Sequence, residues 1–132
     1  MKKEKLTSRW SLKKPYIIKR DDKRYKKCLK ELKETGISYD EMWSLDCAIC
    51  EFLIPRLKMF RRNKGGHPAC FKSDEEWNEV LDKMIYAFEW SMFEVNNCGK
   101  YNELTDEAIE DGWKKYEEGM KLFSDNFRGL WY

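Results

Sequence analysis

SYDEMWSLDCAICEFLIPRLKMFRRN, residues 38–63, and SDEEWNEVLDKMIYAFEWSMFEV, residues 73–95, decide the fold of this chain. Each stretch opens with a Ser followed three residues later by a Glu, the capping box of a helix N-terminus. Apolar residues then recur at three- and four-residue spacing, as on the buried face of an amphipathic helix. The first stripe is Met42, Leu45, Ile49, Phe52, Leu53, Leu57 and Phe60, and the second is Trp77, Val80, Leu81, Met84, Ile85, Phe88 and Met92. We therefore expect two central helices, with Trp43 and Trp77 as aromatic anchors of the core.

Two further helices flank this pair. One is predicted from about Asp21 to Thr35, where Gly36 supplies the left-handed residue that ends many helices. The other is predicted to begin at Thr105, a good N-cap residue, and to continue toward the C-terminus. Gly112 and Gly119 lie seven residues apart within it, which predicts close approach of another helix. Pro55 interrupts the second helix, so we expect a kink near residues 51–55.

Length and composition predict one all-α domain, a small bundle of four main helices with a basic N-terminal arm. The 132 residues are enough for one core, and a 42% hydrophobic content argues against disorder. The predicted division is an arm over residues 1–20 and a single helical domain over residues 21–132. No apolar run is long enough to span a bilayer, and the beginning of the chain lacks a signal peptide's apolar stretch. Together with five cysteines interpreted as reduced, mostly buried thiols, this predicts a cytosolic location.

Charge is distributed unevenly along the chain. Residues 1–30 contain 13 Lys and Arg against 3 acidic residues, whereas the other 102 residues contain 13 against 21. A basic segment of this kind is typical of an interaction tail for nucleic acid, a membrane surface or an acidic protein. The alternative is a solvated arm that closes on its own domain.

Cys47, Cys50, His67 and Cys70 have the two-residue gaps of a zinc site. A continuous helix argues against the site, because Cys47 then lies about 22 Å from the helix end at a rise of about 1.5 Å per residue. His67 follows within a Gly-Gly-His-Pro turn that reaches at most about 17 Å back. We therefore expect no metal and no cofactor, with these four residues as weak candidates only.

Three charged residues of the central helices, which we call the polar set, are not required by helix packing. Asp46 and Arg56 lie on the predicted apolar stripe, and Asp82 lies on the following helix. A charge on a buried stripe has to be paired, so the set predicts either a buried ion-pair network or a polar ligand pocket. The basic residues Arg56, Lys58, Arg61, Arg62 and Lys64 end the second helix, where they complement its dipole or form an anion-binding surface. The candidate binding residues are Trp43, Asp46, Arg56, Lys58, Arg61, Arg62, Trp77 and Asp82.

Residues 37–90 resemble a family of small uncharacterised proteins encoded by tailed bacteriophages and prophages. The resemblance rests on Trp43-Ser-Leu-Asp46, Ile54-Pro-Arg-Leu57, the turn at Pro68, Glu75-Glu-Trp77 and Leu81. These match the family's Trp-x-x-Asp helix, Pro-Arg/Lys-Leu segment, Gly-x-Pro turn and Trp-x-x-x-Leu helix. The family has no settled activity, and its pattern does not include the cysteines. His67 stands where Tyr is commoner, which implies a variable turn residue.

No catalytic constellation emerges, so we expect a binding protein and not an enzyme. The first hypothesis is a phage accessory protein that binds and antagonises a host or anti-phage defence component. A second is a sponge for an anionic nucleotide, with Arg56, Lys58 and Arg61 around the phosphates and Trp43 or Trp77 stacked on the base. A third is a nucleic-acid-associated protein acting through residues 1–30. Six tryptophans in so small a chain also suggest a homo-oligomer.

Overall fold

The computed structural model describes residues 3–131 and is helical throughout its regular structure. Within that range are four substantial α-helices and one short one, which confirms the all-α prediction. They are α1 (Tyr25–Glu34), α2 (Leu45–Asn63), α3 (Asp74–Asn96), α4 (Cys98–Asn102) and α5 (Asp106–Asn126). Two 3₁₀ turns, Tyr39–Met42 and Phe127–Gly129, precede α2 and follow α5.

The chain separates into two compact units, Met1–Ala48 and Ile49–Tyr132. The first unit carries 14 Lys and Arg against 8 acidic residues, and the second carries 12 against 16. The charge asymmetry of the sequence therefore follows the two units, one basic and one acidic.

In the first unit, the N-terminal residues are bonded to the segment that follows α1. Leu6 N–H donates to the Thr35 carbonyl over 2.6 Å, and Lys3 Nζ lies 3.2 Å from Glu34 Oε2. Further along, Ile17 N–H donates to the Asp40 carboxylate over 2.6 Å. A separate basic arm is thus not confirmed, and these contacts favour the alternative in which the segment closes on its own domain.

Gly36 ends α1 as predicted. It has a φ of 96°, in the left-handed region, and its N–H donates to the Leu32 carbonyl over 2.9 Å. A Cβ at this position would lie 2.8 Å from Cα of Thr7. Glycine is therefore required both by the backbone conformation and by the N-terminal segment that crosses it.

The second predicted helix is divided at its beginning. The capping box forms, with Ser38 N–H donating to Glu41 Oε2 over 2.6 Å, but it caps the 3₁₀ turn and α2 begins only at Leu45. From there α2 continues through Pro55 to Asn63 as one α-helix.

The predicted buried stripe of α2 is largely wrong. Only Cys50 and Leu57 are buried on this helix, whereas most of the predicted stripe is exposed. The exposed members are Met42, Leu45, Ile49 and Phe52, together with Met59 of the same helix. Apolar residues occur on both sides of α2, so periodicity alone did not distinguish the core side from the solvent side.

The core of the second unit is built on α3. Trp77, Leu81 and Met84 are fully buried, and α3 packs along α5. Ser73 Oγ accepts from Glu76 N–H, and Thr105 Oγ1 accepts from Ala108 N–H, which confirms both predicted N-caps. No helix within residues 3–131 combines the length and the apolar character that crossing a membrane requires.

The two glycines of α5 confirm the predicted close approach. A Cβ on Gly119 would clash with the Lys83 carbonyl oxygen and lie 2.6 Å from Cβ of Ala87, and one on Gly112 would clash with the Trp90 ring. The α3 and α5 backbones therefore approach closely at Gly119, whereas at Gly112 the Trp90 ring of α3 fills the space that a side chain would need.

Candidate functional site

The polar set Asp46, Arg56 and Asp82 does not form the buried network predicted as one alternative. All three side chains are exposed, and Asp82 pairs with Arg61, whose Nε lies 2.6 Å from Asp82 Oδ1. Arg56 instead lies over its neighbour on α2, with the guanidinium carbon 4.0 Å from the Phe52 ring centroid and Nη1 donating to the Phe52 carbonyl. The prediction failed because it placed Asp46 and Arg56 on the buried side of α2.

The basic residues at the end of α2 divide into two groups. Lys58 Nζ lies 2.6 Å from Glu89 Oε1, and Arg61 pairs with Asp82, so both cations are bound to carboxylates of α3. Arg62 is exposed and Lys64 is half-buried at the C-terminal end of α2. A nucleotide phosphate at Lys58 and Arg61 would have to displace these two ion pairs.

Trp43 and Trp77 have opposite environments. Trp77 has no exposed surface and stacks on Phe71 with ring centroids 5.1 Å apart, which confirms it as a core anchor and leaves its ring inaccessible to a ligand. Trp43 is 41% exposed, so its prediction as a core anchor is wrong. Its ring meets Tyr39 edge-on, and the Arg24 guanidinium lies 5.1 Å from its centroid.

An apolar surface runs along the outside of α2 in the second unit. We define the α2 face as Ile49, Phe52, Arg56 and Met59, which recur at three- and four-residue spacing and so share one side of the helix. Ile49 is 47% exposed and Met59 is 53% exposed. This amount of apolar surface on one helix is typical of a protein-binding site.

The α2 face continues into a groove at the C-terminal end of the chain. The groove has a volume of about 520 Å³ and shares Arg56 and Met59 with the face. Leu130 and Trp131 form its other wall, and Trp131 is 73% exposed. Lys64 adds a second cation to the lining. The surface is therefore mainly apolar, with Arg56 within it and Lys64 in the adjoining groove.

The first unit contains a buried carboxylate that the sequence prediction missed. Asp40 is fully buried and accepts hydrogen bonds from Ile17 N–H, Ile18 N–H and Ser38 Oγ. Burial alone would raise the pKa of Asp40, but these hydrogen bonds outweigh it and hold the pKa below its ordinary value. Its place next to an N-cap serine was the only sequence signal, and that signal does not distinguish a buried carboxylate from a solvated one.

The same unit exposes basic and aromatic side chains together. A groove of about 660 Å³ is lined by Arg20, Lys23, Tyr25 and Lys26, with Asp22 and Leu29 completing it. Trp10 is 52% exposed, and the Arg9 guanidinium lies 4.5 Å from its ring centroid.

The weak metal candidates lie in different environments. Cys50 is buried, Cys47 is half-buried and Cys70 is exposed. His67 Nδ1 is 3.0 Å from the Pro68 carbonyl, but residues 64–68 form no turn, contrary to the prediction, and the turn lies at Ala69 and Cys70. Over residues 3–131, no three His, Cys, Asp or Glu side chains are placed to share a metal ion. Cys70 and Cys98 are exposed thiols, contrary to the prediction of mostly buried ones.

Compared with known proteins, the chain matches no family model, no curated protein and no solved structure. Its function is therefore inferred from the surfaces described above and from the resemblance of residues 37–90.

Proposed function

We propose that this chain is a non-enzymatic phage accessory protein that binds, and thereby antagonises, a protein of the host or of its anti-phage defence. The observation that carries the proposal is the α2 face, an exposed apolar surface on a helix whose opposite side is buried. A solvated helix without a partner rarely exposes Ile, Phe and Met along one line. The resemblance of residues 37–90 to phage proteins supplies the biological setting.

The chemistry of this surface selects a partner of one kind. Ile49, Phe52 and Met59 require an apolar counterpart, and apolar residues spaced along one helix face are matched by the apolar stripe of a second helix. Arg56 lies within the face and Lys64 lines the groove, and both favour carboxylates beside the apolar stripe of the partner. The expected partner therefore presents an amphipathic helix whose apolar stripe is flanked by Asp or Glu.

The test compares two exposed apolar sites of the second unit. Ile49→Asp on the α2 face should abolish capture of a host protein from lysate, and it should also abolish binding of that protein once purified. Val95 is 58% exposed on α3 and lies outside the face, so Val95→Asp is the matched control and should bind like the wild type. Equal binding by both variants would remove the α2 face from the interaction.

Self-association is the competing use of the same surface. Sedimentation of the purified chain distinguishes the two, because a host-binding face leaves the isolated protein monomeric at micromolar concentration. A stable dimer that Ile49→Asp dissociates would show that the face meets a second copy, and the proposal of a host partner would then be wrong.

The second candidate function is nucleic-acid binding by the first unit. It is favoured by the basic groove around Lys23 and Lys26, and by the exposed rings of Trp10 and Trp43 in the same unit. Basic grooves with aromatic platforms bind single strands, and salt weakens such binding by a log–log slope of about −0.7 per phosphate contact. Lys23→Glu with Lys26→Glu should weaken binding to a single-stranded oligonucleotide at low salt. Lys114→Glu, at an exposed lysine of α5, should not. Salt-insensitive binding, or an equal loss in both variants, argues against this candidate.

A further inference from the structure

The second unit has an aromatic cleft that neither the α2 face nor the basic groove includes. Its volume is about 440 Å³, within the range of small-molecule sites. Three aromatic side chains of α3 line it, Tyr86, Trp90 and Phe93, which follow one another at four- and three-residue spacing. Ile54 of α2 and Leu104 at the end of the α4 region complete the apolar wall.

The three rings form a nearly parallel series. The planes of Tyr86 and Trp90 differ by 12°, and those of Trp90 and Phe93 differ by 24°. Two further rings pack against Trp90: the centroids of Tyr101 and Trp113 lie 5.8 Å and 5.9 Å from its centroid. The indole nitrogen of Trp90 is enclosed, so Trp90 contributes ring carbon surface to the cleft and no hydrogen-bond donor.

The polar groups at the cleft favour a positive charge. Glu89 contributes a carboxylate to the lining, and Asn96 and Asn97 contribute side-chain amides at the end of α3. The last turn of α3 has no basic residue to offset the negative end of the helix dipole. Aromatic faces add negative electrostatic potential of their own.

A cation already occupies the edge of this site within the molecule. Lys58 Nζ is 2.6 Å from Glu89 Oε1, with both side chains about half exposed. The carboxylate at the cleft is therefore already paired with an ammonium group, and Lys58 competes for it with any ligand.

We propose that this cleft binds a small alkylammonium cation, with its methyl or methylene groups against Tyr86, Trp90 and Phe93 and its charge directed to Glu89. Proteins commonly bind alkylated ammonium groups with aromatic side chains, because the positive charge is attracted to the ring faces and the alkyl groups need no hydrogen-bond partner. A carboxylate beside the rings adds a second attraction for the charge. The site is separate from the protein-binding surface proposed above, since the cleft and the α2 face share no residue.

Choline is a suitable probe, and its neutral isostere, in which carbon replaces the ammonium nitrogen, is the chemical control. Choline is titrated into the full chain, and its binding is measured from the chemical shifts of the tryptophan indole N–H groups in NMR spectra. The resonance that is missing from the spectrum of Trp90→Phe is that of Trp90. We expect choline to shift that resonance saturably and to bind about threefold or more tightly than the isostere, the range of one cation–π contact or more.

Three variants test the role of the carboxylate. Glu89→Gln should weaken choline binding about two- to fivefold, as expected for the loss of a partly exposed ion pair. The affinity for the neutral isostere should not change. Glu94 is exposed on α3 outside the cleft, so Glu94→Gln is its matched control and should bind choline like the wild type. Lys58→Met should tighten choline binding, because it removes the competing ammonium group.

Three outcomes overturn the proposal: no saturable shift at millimolar choline, equal affinity for choline and the isostere, or equal effects of Glu89→Gln and Glu94→Gln. Circular dichroism of each variant ensures that a loss of binding is not a loss of fold.

Discussion

Asp40 links three parts of the first unit through one side chain. Its carboxylate accepts from two consecutive backbone amides, Ile17 and Ile18, and from the Ser38 hydroxyl at the beginning of the 3₁₀ turn. A buried carboxylate is stable only when donors replace its lost hydration, and here they do so. Ile17 and Ile18 are thus bonded to the segment after α1 through the carboxylate of Asp40.

Replacement of this carboxylate should destabilise the fold. We expect Asp40→Asn to lower the free energy of unfolding by about 1–3 kcal/mol, because an amide nitrogen faces backbone donors that need an acceptor. Asp21→Asn, at an exposed aspartate of the same unit, should change it little. Denaturant unfolding of the two variants measures the difference, and equal values would contradict the role assigned to Asp40.

The pH dependence of stability follows from the same group. The pKa of Asp40 is below its ordinary value of 3.8 in the folded protein, so the unfolded chain binds the proton more readily. The stability that Asp40 contributes is therefore present above the unfolded pKa and is lost as pH falls through the lower folded pKa. Unfolding followed from pH 7 down to about pH 2 should show a smaller acid loss in Asp40→Asn than in the wild type.

Among the elements, α3 and α5 show how backbone proximity shapes the fold. Gly119→Ala should destabilise the protein, because overpacking costs about 1–3 kcal/mol and exceeds the gain of about 1 kcal/mol in helix propensity. The clash is with the Lys83 carbonyl, a backbone group that cannot rotate away. Gly99→Ala is the control, since a Cβ there meets nothing within 4 Å, and it should be neutral or slightly stabilising. The measurement is the thermal unfolding midpoint of both variants. If neither substitution changes it, α3 and α5 can move apart at little cost, and the close approach does not constrain position 119.

In helix α2, the spacing of apolar residues does not identify the buried side. Its sequence is apolar on two sides of the helix that lie about 120° apart, one with Ile49 and Phe52 and the other with Cys50 and Leu57, so both fit a helix period. The folded structure buries the side that contains Leu57, while Lys58 and Arg61 pair with Glu89 and Asp82 of α3 at the surface. The predicted polar network of Asp46 and Arg56 failed for the same reason.

For the whole molecule, the division into two units predicts unequal local stability. The second unit holds the fully buried Trp77, Leu81 and Met84, whereas the buried apolar residues of the first are Ile18, Cys28 and Leu32. Local opening costs less where fewer apolar contacts are lost. Amide hydrogen exchange should therefore be slowest in α3 and faster in α1, with Ile17 and Ile18 protected above their neighbours by Asp40. Uniform protection across both units would contradict this.

The sequence by itself determined what depends on neighbours along the chain. It established the helical class, the caps at Ser73 and Thr105 and the stop at Gly36, because caps, left-handed residues and periodicity are local properties. The glycines at 112 and 119 indicated a close approach, but the atoms that require them belong to α3. Only the tertiary structure decided which side of α2 is buried, that Asp40 is a buried acceptor, that Trp43 is exposed, and that Tyr86, Trp90 and Phe93 line a cleft. These depend on which surfaces exclude water from one another, and residues far apart in sequence supply those surfaces.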